Sequence, residues 1–337
     1  MEKFHELEEL MSKAITLEAS DLHITVGQKV FFRKDGELLS DDEKIISSES
    51  IENFLRDILS EAQYSQLVNQ RELDFSLKCD SRRFRGNAYY QRGSLSIALR
   101  LIPAKIPTLQ ELGAPAALFK MIDSKQGLLL VTGRTGSGKS TTLAAFINAI
   151  SQKRACHILT LEDPIEFEHF SNNCFISQRE LGRDFVSFPQ ALKSALREMP
   201  DVLLIGEIRD CETMAMAMEA AAAGIFVLGT LHTSGAAETA MRVESMFPIV
   251  QRDIVRDQFA DVFTGIFSQQ LLPKIGGGRV SATEVLLSTS ASVNLIRQGK
   301  YIQLSSVMLG GKSLGMQTMQ AAIQKLYDAR LIIKSKE

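Results

Sequence analysis

No stretch of this chain is long and apolar enough to cross a membrane. The longest uncharged, non-polar run, Ala220–Leu228, has nine residues, whereas a spanning helix needs about 20. Any association with a membrane therefore has to go through a partner. Cysteine is scarce too: Cys79, Cys156, Cys174 and Cys211 are scattered, with no C-x-x-C pair. That argues against a zinc or disulfide framework and for reduced, partly buried thiols in the cytosol. Neither sign of charge dominates. Lys and Arg number 38 against 40 Asp and Glu, a formal net charge of −2. A protein built mainly to grip nucleic acid is thereby disfavoured, with local basic patches still allowed. Internal repeats and low-complexity segments are missing, and Met1-Glu2-Lys3-Phe4-His5 does not read as a signal peptide. What is present is an ordinary globular composition, 45% hydrophobic and 23% charged, over a length that accommodates two or three domains.

The order of elements divides the chain. Residues 1–101 read as α+β: an amphipathic helix over Glu6–Ala14, strands at His23–Val26 and Val30–Lys34, and a helix at Ile51–Leu67. Strands follow at Leu73–Leu77, Arg83–Tyr90 and Leu95–Leu101, with turn signals at Asp35-Gly36 and Arg92-Gly93. Residues 102–115 form a linker. Pro103 and Pro107 favour an extended, stiff path there. From residue 116 helices alternate with short apolar strands at Leu128–Thr132, His157–Leu161, Val202–Ile205 and Phe226–Leu231, the signature of a largely parallel sheet covered by helices. Beyond about residue 235 the chain is mostly helical, interrupted by a hairpin through Gly276-Gly277-Gly278.

The chemistry is most explicit at residues 133–140, Gly-Arg-Thr-Gly-Ser-Gly-Lys-Ser. This is a complete G-x-x-x-x-G-K-S loop between the strand Leu128–Val131 and a helix over Thr141–Ser151. Gly133, Gly136 and Gly138 allow the backbone to turn successive N–H groups inward. Arg134, Thr135, Ser137 and Thr141 complete the cradle. The helix that follows directs its positive end at the same point. Lys139 supplies a cation to the β- and γ-phosphates, and the Ser140 hydroxyl is a ligand for Mg²⁺. The loop predicts binding of a nucleoside triphosphate.

Further candidates lie at the ends of the other apolar strands, where ligands of a parallel sheet collect. Glu162 and Asp163 close the strand at His157–Leu161. They either polarise an attacking water or cap the next segment. Val202–Ile205 leads through Gly206 to Glu207, a Walker B-like arrangement whose carboxylate would hold Mg²⁺ through water. His232 follows the strand at Phe226–Leu231, where a γ-phosphate sensor would stand; a lone histidine is more often a packed or surface residue. Arg82, Arg83, Arg85, Arg92 and Arg100 cluster in the first domain, and Arg83 and Arg85 share a strand face. They are a solvated face, or guanidinium groups supplied to phosphate from outside the pocket.

Together these motifs resemble the type II/IV secretion ATPase superfamily and, within it, the retraction ATPases of type IV pili (PilT type). The resemblance rests on Leu196–Asp210 around the Walker B strand and Thr160–Phe167 as an acidic box. It rests also on Ala19–His23, Arg83–Ala88, Leu99–Pro103 and Gly315–Thr318, so it spans nearly the whole chain. The family implies an α/β fold: a PAS-like α+β domain at 1–101 and a RecA-like P-loop NTPase domain at 116–337 with a helical C-terminal part. It implies a homohexamer that hydrolyses ATP with Mg²⁺ at the cytoplasmic face of the inner membrane and drives pilus retraction through a platform protein. A second retraction ATPase is a further implied partner. By the same resemblance Glu162 is the catalytic glutamate and Glu207 the Walker B acid. Arg85 and Arg100 reach the nucleotide's phosphates, and His232 belongs to the His box. The four-cysteine zinc insertion and longer N-terminal extension of assembly members are missing, which points to retraction. The chain departs from the family at Ile225, where a histidine is usual, and at Ser292, Val293 and Gln298 in the A-I-R-N-L-I-R-E motif. An ATP-binding accessory subunit is the first alternative. A RecA-like nucleic-acid translocase is the second, disfavoured by the near-neutral charge and by the lack of interleaved aromatic and basic residues.

Overall fold

The computed structural model describes residues 5–34, 37–80, 82–102, 105–171 and 173–333. The expectations for Met1–Phe4, the Asp35-Gly36 turn and Pro103-Ala104 lie outside these residues. The chain divides into two compact units, Met1–Lys105 with Pro164–Phe167 and Ile106–Asp163 with Glu168–Glu337.

The first unit runs α1 (His5–Leu17), β1 (Asp21–Thr25), β2 (Lys29–Lys34), β3 (Glu37–Ile45), α2 (Ser48–Ile58), α3 (Glu61–Gln70), β4 (Glu72–Cys79), β5 (Arg82–Gln91) and β6 (Ser94–Leu101). The strands form an antiparallel sheet in the order β3-β2-β1-β6-β5-β4. One sheet face is apolar by alternation: Leu22, Ile24, Phe32, Phe84 and Leu99 pack with Leu7, Leu10 and Met11 of α1. Arg92 and Gly93 both have positive φ (49° and 82°). They make the two-residue turn between β5 and β6 that the Arg-Gly pair signals.

One expectation is corrected here, and one strand is added. The helix expected over Ile51–Leu67 is broken into α2 and α3. The cause is a capping box: Ser60 Oγ accepts from the Gln63 N–H, and Gln63 Oε1 accepts from the Ser60 N–H at 3.1 Å. β3 escaped the periodicity because Asp41, Asp42, Glu43 and Lys44 fill much of it. It is an edge strand, where charge discourages pairing with other chains.

The second unit runs α4 (Ala116–Lys120), β7 (Gly127–Thr132), α5 (Lys139–Lys153), β8 (His157–Glu162), β9 (Phe175–Glu180), α6 (Phe188–Ala195), β10 (Val202–Ile205), α7 (Cys211–Ala222) and β11 (Phe226–Leu231). It continues with α8 (Ala236–Ser245), α9 (Arg252–Val262), β12 (Phe263–Pro273), β13 (Arg279–Leu287), α10 (Ser290–Arg297), α11 (Leu304–Gly310) and α12 (Met319–Asp328). The sheet order is β13-β12-β7-β11-β10-β8-β9, parallel except at β12–β13.

The central strands are uninterrupted apolar runs because both sheet faces are covered. Leu128 and Leu130 of β7 pack with α6–α9, while Leu129 and Val131 pack with α4 and α5. Each fully buried leucine contributes about 2 kcal/mol. The strands at β7, β8, β10 and β11 lie where the sequence places them. β9 was not foreseen, since Phe-Ile-Ser-Gln-Arg-Glu has only two apolar residues. The hairpin through Gly276–Gly278 is present, but its arms are long strands of the main sheet, so the region after residue 235 is less helical than expected. Beyond the stretch that the prolines stiffen, residues 109–113 form turns. Thr108 and Glu111 cap each other, and Leu109 is 2% exposed in the second unit's core. No helix among the described residues is long and apolar enough to cross a membrane.

Candidate active site

β7 is buried along its whole length and delivers the chain rigidly into the loop at residues 133–138. Gly133, Gly136 and Gly138 have φ of 144°, 77° and 88°, in the region that favours glycine. A Cβ on Gly133 would stand 2.4 Å from the Gln269 carbonyl oxygen and 2.5 Å from Ser137 Oγ. No other residue fits there without moving β12. Helix α5 starts at Lys139 with Gly138 as N-cap and no side-chain cap. Its first N–H groups are thus left for an anion. Lys139 is 9% exposed, and its Nζ donates to the carbonyls of Gly133 at 2.9 Å and Arg134 at 3.2 Å. The ammonium is held at the loop rather than in solvent. Arg134, Thr135, Gly136 and Ser140 are exposed, and Thr141 is half-buried.

The other candidates stand at the carboxyl ends of neighbouring strands. Glu207 follows β10 after Gly206. A Cβ on Gly206 would lie 3.2 Å from Glu162 Cα, and its N–H donates to the Leu161 carbonyl at 2.8 Å. Glycine here lets the ends of β10 and β8 close up, which accounts for the glycine between strand and acid. Glu207 is a hub. Oε2 accepts from Arg209 Nη2 at 2.8 Å, and Oε1 lies 3.2 Å from His232 Nε2. The His232 Nδ1 is 3.4 Å from the Thr135 hydroxyl. A chain of polar groups thus joins the glycine-rich loop to the acid beyond β10. Burial is the largest single influence on Glu207 and raises its pKa. The Arg209 hydrogen bond, with the charges of Arg209, His232 and Lys139, outweighs it and holds the carboxyl below its usual range. Arg209 also lies 3.8 Å from Asp163. Glu162 Oε1 accepts from Thr160 Oγ1 at 2.7 Å and Gln178 Nε2 at 3.2 Å.

Arg85 and Arg100 lie in the first unit as direct cross-strand neighbours on β5 and β6. Arg100 Nε donates to Asp21 at 2.8 Å, and Arg85 is 3.8 Å from Asp74. The four cysteines are free. The fold brings Cys156 Sγ to 3.3 Å from Cys174 Sγ, because each precedes one of the register-paired strands β8 and β9. Burial, reinforced by the neighbouring thiol, pushes Cys156 up to about 12.

Several residues at the site were not foreseen. A cavity of about 410 Å³ opens beside the loop, walled by Ser234, Gln270, Leu271, Arg279 and Met319 as well as residues 133–137. Most of these are on β12, β13 and α12, which only the sheet order brings beside β7. Arg209 and Gln178 were legible only as polar residues near acids. Ser137 Oγ and Gln269 Oε1 are buried without a hydrogen-bond partner among the described residues. A cradle shaped for glycine, a buried ammonium and unsatisfied polar atoms beside an open cavity fit a polyphosphate ligand. No cluster of three or more His, Cys, Asp or Glu among the described residues could hold a metal by itself.

A phosphate-binding loop between a buried parallel strand and a helix, with acids and a histidine at adjacent strand ends, defines a P-loop nucleotide-binding protein of the α/β class. The family model described as type II/IV secretion system protein matches residues 2–325. The chain is 41% identical over 328 residues to the type IV pilus retractation ATPase PilT of Pseudomonas aeruginosa, covering 97% of this chain and 95% of that one. It is 36% identical to the type IV pilus ATPase PilU of the same organism, over 96% and 85% of the two chains. The crystal structure of the pilus retraction motor PilT with bound ADP superposes with a TM-score of 0.89 at 42% identity, covering 97% of this chain and 94% of that one. The chain belongs to the type II/IV secretion system protein family, in its PilT-type branch. It carries the ATPase fold of that family, in the α/β class expected from the sequence.

Proposed function

We propose that this protein is a Mg²⁺-dependent ATPase motor that powers type IV pilus retraction from the cytoplasmic face of the inner membrane. The observation that carries the reading is the polar chain Thr135–His232–Glu207–Arg209, which couples the loop to the acid beyond β10. The likeness to PilT over 97% of the chain gives the reading its direction.

The loop N–H groups and the start of α5 would bind the triphosphate, with Lys139 leaving its own loop carbonyls for the phosphates. Ser140 and Glu207 would hold Mg²⁺, the acid through water and in exchange for its present partners. When bound, the ion neutralises charge on the β- and γ-phosphates. Glu162, fixed by Thr160 and Gln178, would orient and deprotonate the attacking water. His232 links Thr135 to Glu207 and would report on the γ-phosphate. Arg85 and Arg100 would neutralise charge on the phosphates from the first unit. A homohexamer would convert hydrolysis into movement of a membrane platform protein, without direct contact to nucleic acid. A second retraction ATPase would be a co-motor, a reading supported by the 36% identity to PilU.

Steady-state ATPase measurement on the full chain tests the proposal. Wild type should hydrolyse ATP, and Lys139→Ala should not. A wild type that is silent alone and active only beside a second ATPase would make it an accessory subunit. Steep stimulation by single-stranded DNA would favour a translocase.

A further inference from the structure

Four side chains stand in one row across the first unit's sheet. Arg85 on β5 is opposite Arg100 on β6, Arg100 is opposite Asp21 on β1, and Asp21 is opposite Arg33 on β2. Directly opposed residues share a sheet face. Their sequence neighbours Phe84, Leu99, Leu22 and Phe32 are buried in the core. The row therefore lies on the face turned away from it. Three guanidinium groups in line repel one another, and Asp21 is the one acid among them.

Asp21 is 9% exposed. Its Oδ1 accepts from Arg100 Nε at 2.8 Å. Its Oδ2 accepts from Ser20 Oγ at 2.9 Å and lies 3.7 Å from Arg33 Nε. The contact to Arg100 uses Nε and leaves both terminal nitrogens without a partner among the described residues, on a side chain that is 72% exposed. A carboxylate gripping a guanidinium head-on takes the terminal fork, the part that recognises a phosphate. A carboxylate on Nε does the reverse. It restrains the plane of the group and presents the fork outward.

We infer that Asp21 is a positioning residue, holding Arg100 by Nε so that its fork is presented to a nucleotide phosphate. The inference rests on the assignment of Arg100 to the phosphates proposed above. A flexible arginine has to lose rotamer freedom each time it engages, whereas an anchored one has lost it already. The benefit falls on the transition state, so it appears in kcat rather than in ATP affinity. If Asp21 merely relieved repulsion in the row, its loss would lower stability and leave kcat unchanged.

A double-mutant cycle on the full-length protein separates the two. We expect Asp21→Asn, which keeps shape and removes charge, to lower kcat about tenfold with the KM for ATP within about twofold of wild type. Arg100→Ala should lower kcat by about 100-fold. The double variant should be no worse than Arg100→Ala alone, within about twofold. Losses that multiply to about 1,000-fold would overturn the inference while leaving Arg100 in its role. Arg100→Ala with wild-type turnover would remove the role of Arg100, and the inference with it. Should Asp21→Asn not fold, Arg100→Lys asks the same question without touching Asp21. It keeps the cation but loses both Nε–H and the fork, so kcat should fall by at least the roughly tenfold expected of Asp21→Asn. Wild-type turnover in Arg100→Lys would overturn the inference.

Discussion

Lys139 separates binding chemistry from folding. Its ammonium donates to the loop carbonyls of Gly133 and Arg134 at 2.9 and 3.2 Å, and Lys139→Ala should cost about 1 kcal/mol of stability. Turnover should fall below about a tenth of wild type with an unchanged circular dichroism spectrum. The two acids are expected to fail differently. In Glu162→Gln the amide oxygen can still accept from Thr160 and Gln178. ATP binding should then hold within about threefold while kcat drops by about 100-fold or more. Glu207→Gln removes the charge that answers Arg209, and it should raise the Mg²⁺ needed for half-maximal rate. The reverse pattern in a Mg²⁺ titration would exchange the two roles. His169 offers a test of stability. Burial pushes its imidazole down to about 4. Below the unfolded value of about 6.5 the unfolded chain takes up a proton that the folded one refuses, so stability falls with pH between about 6.5 and 4. Denaturation at pH 7 and pH 5 should show His169→Gln losing about 2 kcal/mol less than wild type over that interval. Equal losses would count against it.

At the scale of elements, two of the departures from the family motifs, Ser292 and Ile225, have local explanations. Ser292 is fully buried at the start of α10. It completes a capping box with Thr289, and its Oγ donates to the Leu287 carbonyl at 2.8 Å. Restoring the family residue by Ser292→Ile should destabilise the protein by about 2 kcal/mol, through loss of the cap and overpacking. A higher melting temperature in that variant would refute this account. Ile225 is 8% exposed and packs in the core cluster with Val227 and Ala221. It therefore serves the sheet, and nothing in its surroundings requires a titratable group. The buried strands β7, β10 and β11 were legible because burial on both faces makes a strand a plain apolar run. β3 and β9 were not, since edge strands need bury only one face and keep charge. The break between α2 and α3 was legible in principle from Ser60 and Gln63, but the apolar spacing runs on across it.

For the whole molecule, the division into two units, each with its own apolar core, motivates a truncation. A chain beginning at Ile106 keeps the loop, Glu162, Glu207 and His232 and lacks Arg85 and Arg100. It should bind ATP and hydrolyse it at least about tenfold more slowly than the full chain. Full activity in the shorter chain would sink the proposed role of the first unit's arginines.

The sequence by itself determined the phosphate loop, the parallel central strands and the family. The reason is that these depend on local requirements: three glycines at positive φ, an apolar run, a lysine at fixed spacing. Tertiary structure alone decided which side chains meet. Thr135 and His232 are 97 residues apart and touch because β7 and β11 are register-paired neighbours. Gln269 and Arg279 reach the loop because β12 returns beside β7 and β13 pairs with β12, placements no local pattern specifies. Asp21 meets Arg100 across 79 residues because antiparallel pairing sets them opposite. Spacing along the chain reports what one segment can do, while pairing between distant segments assigns each group its partner. That pairing is settled only when the strands assemble into their sheets and bury their apolar faces.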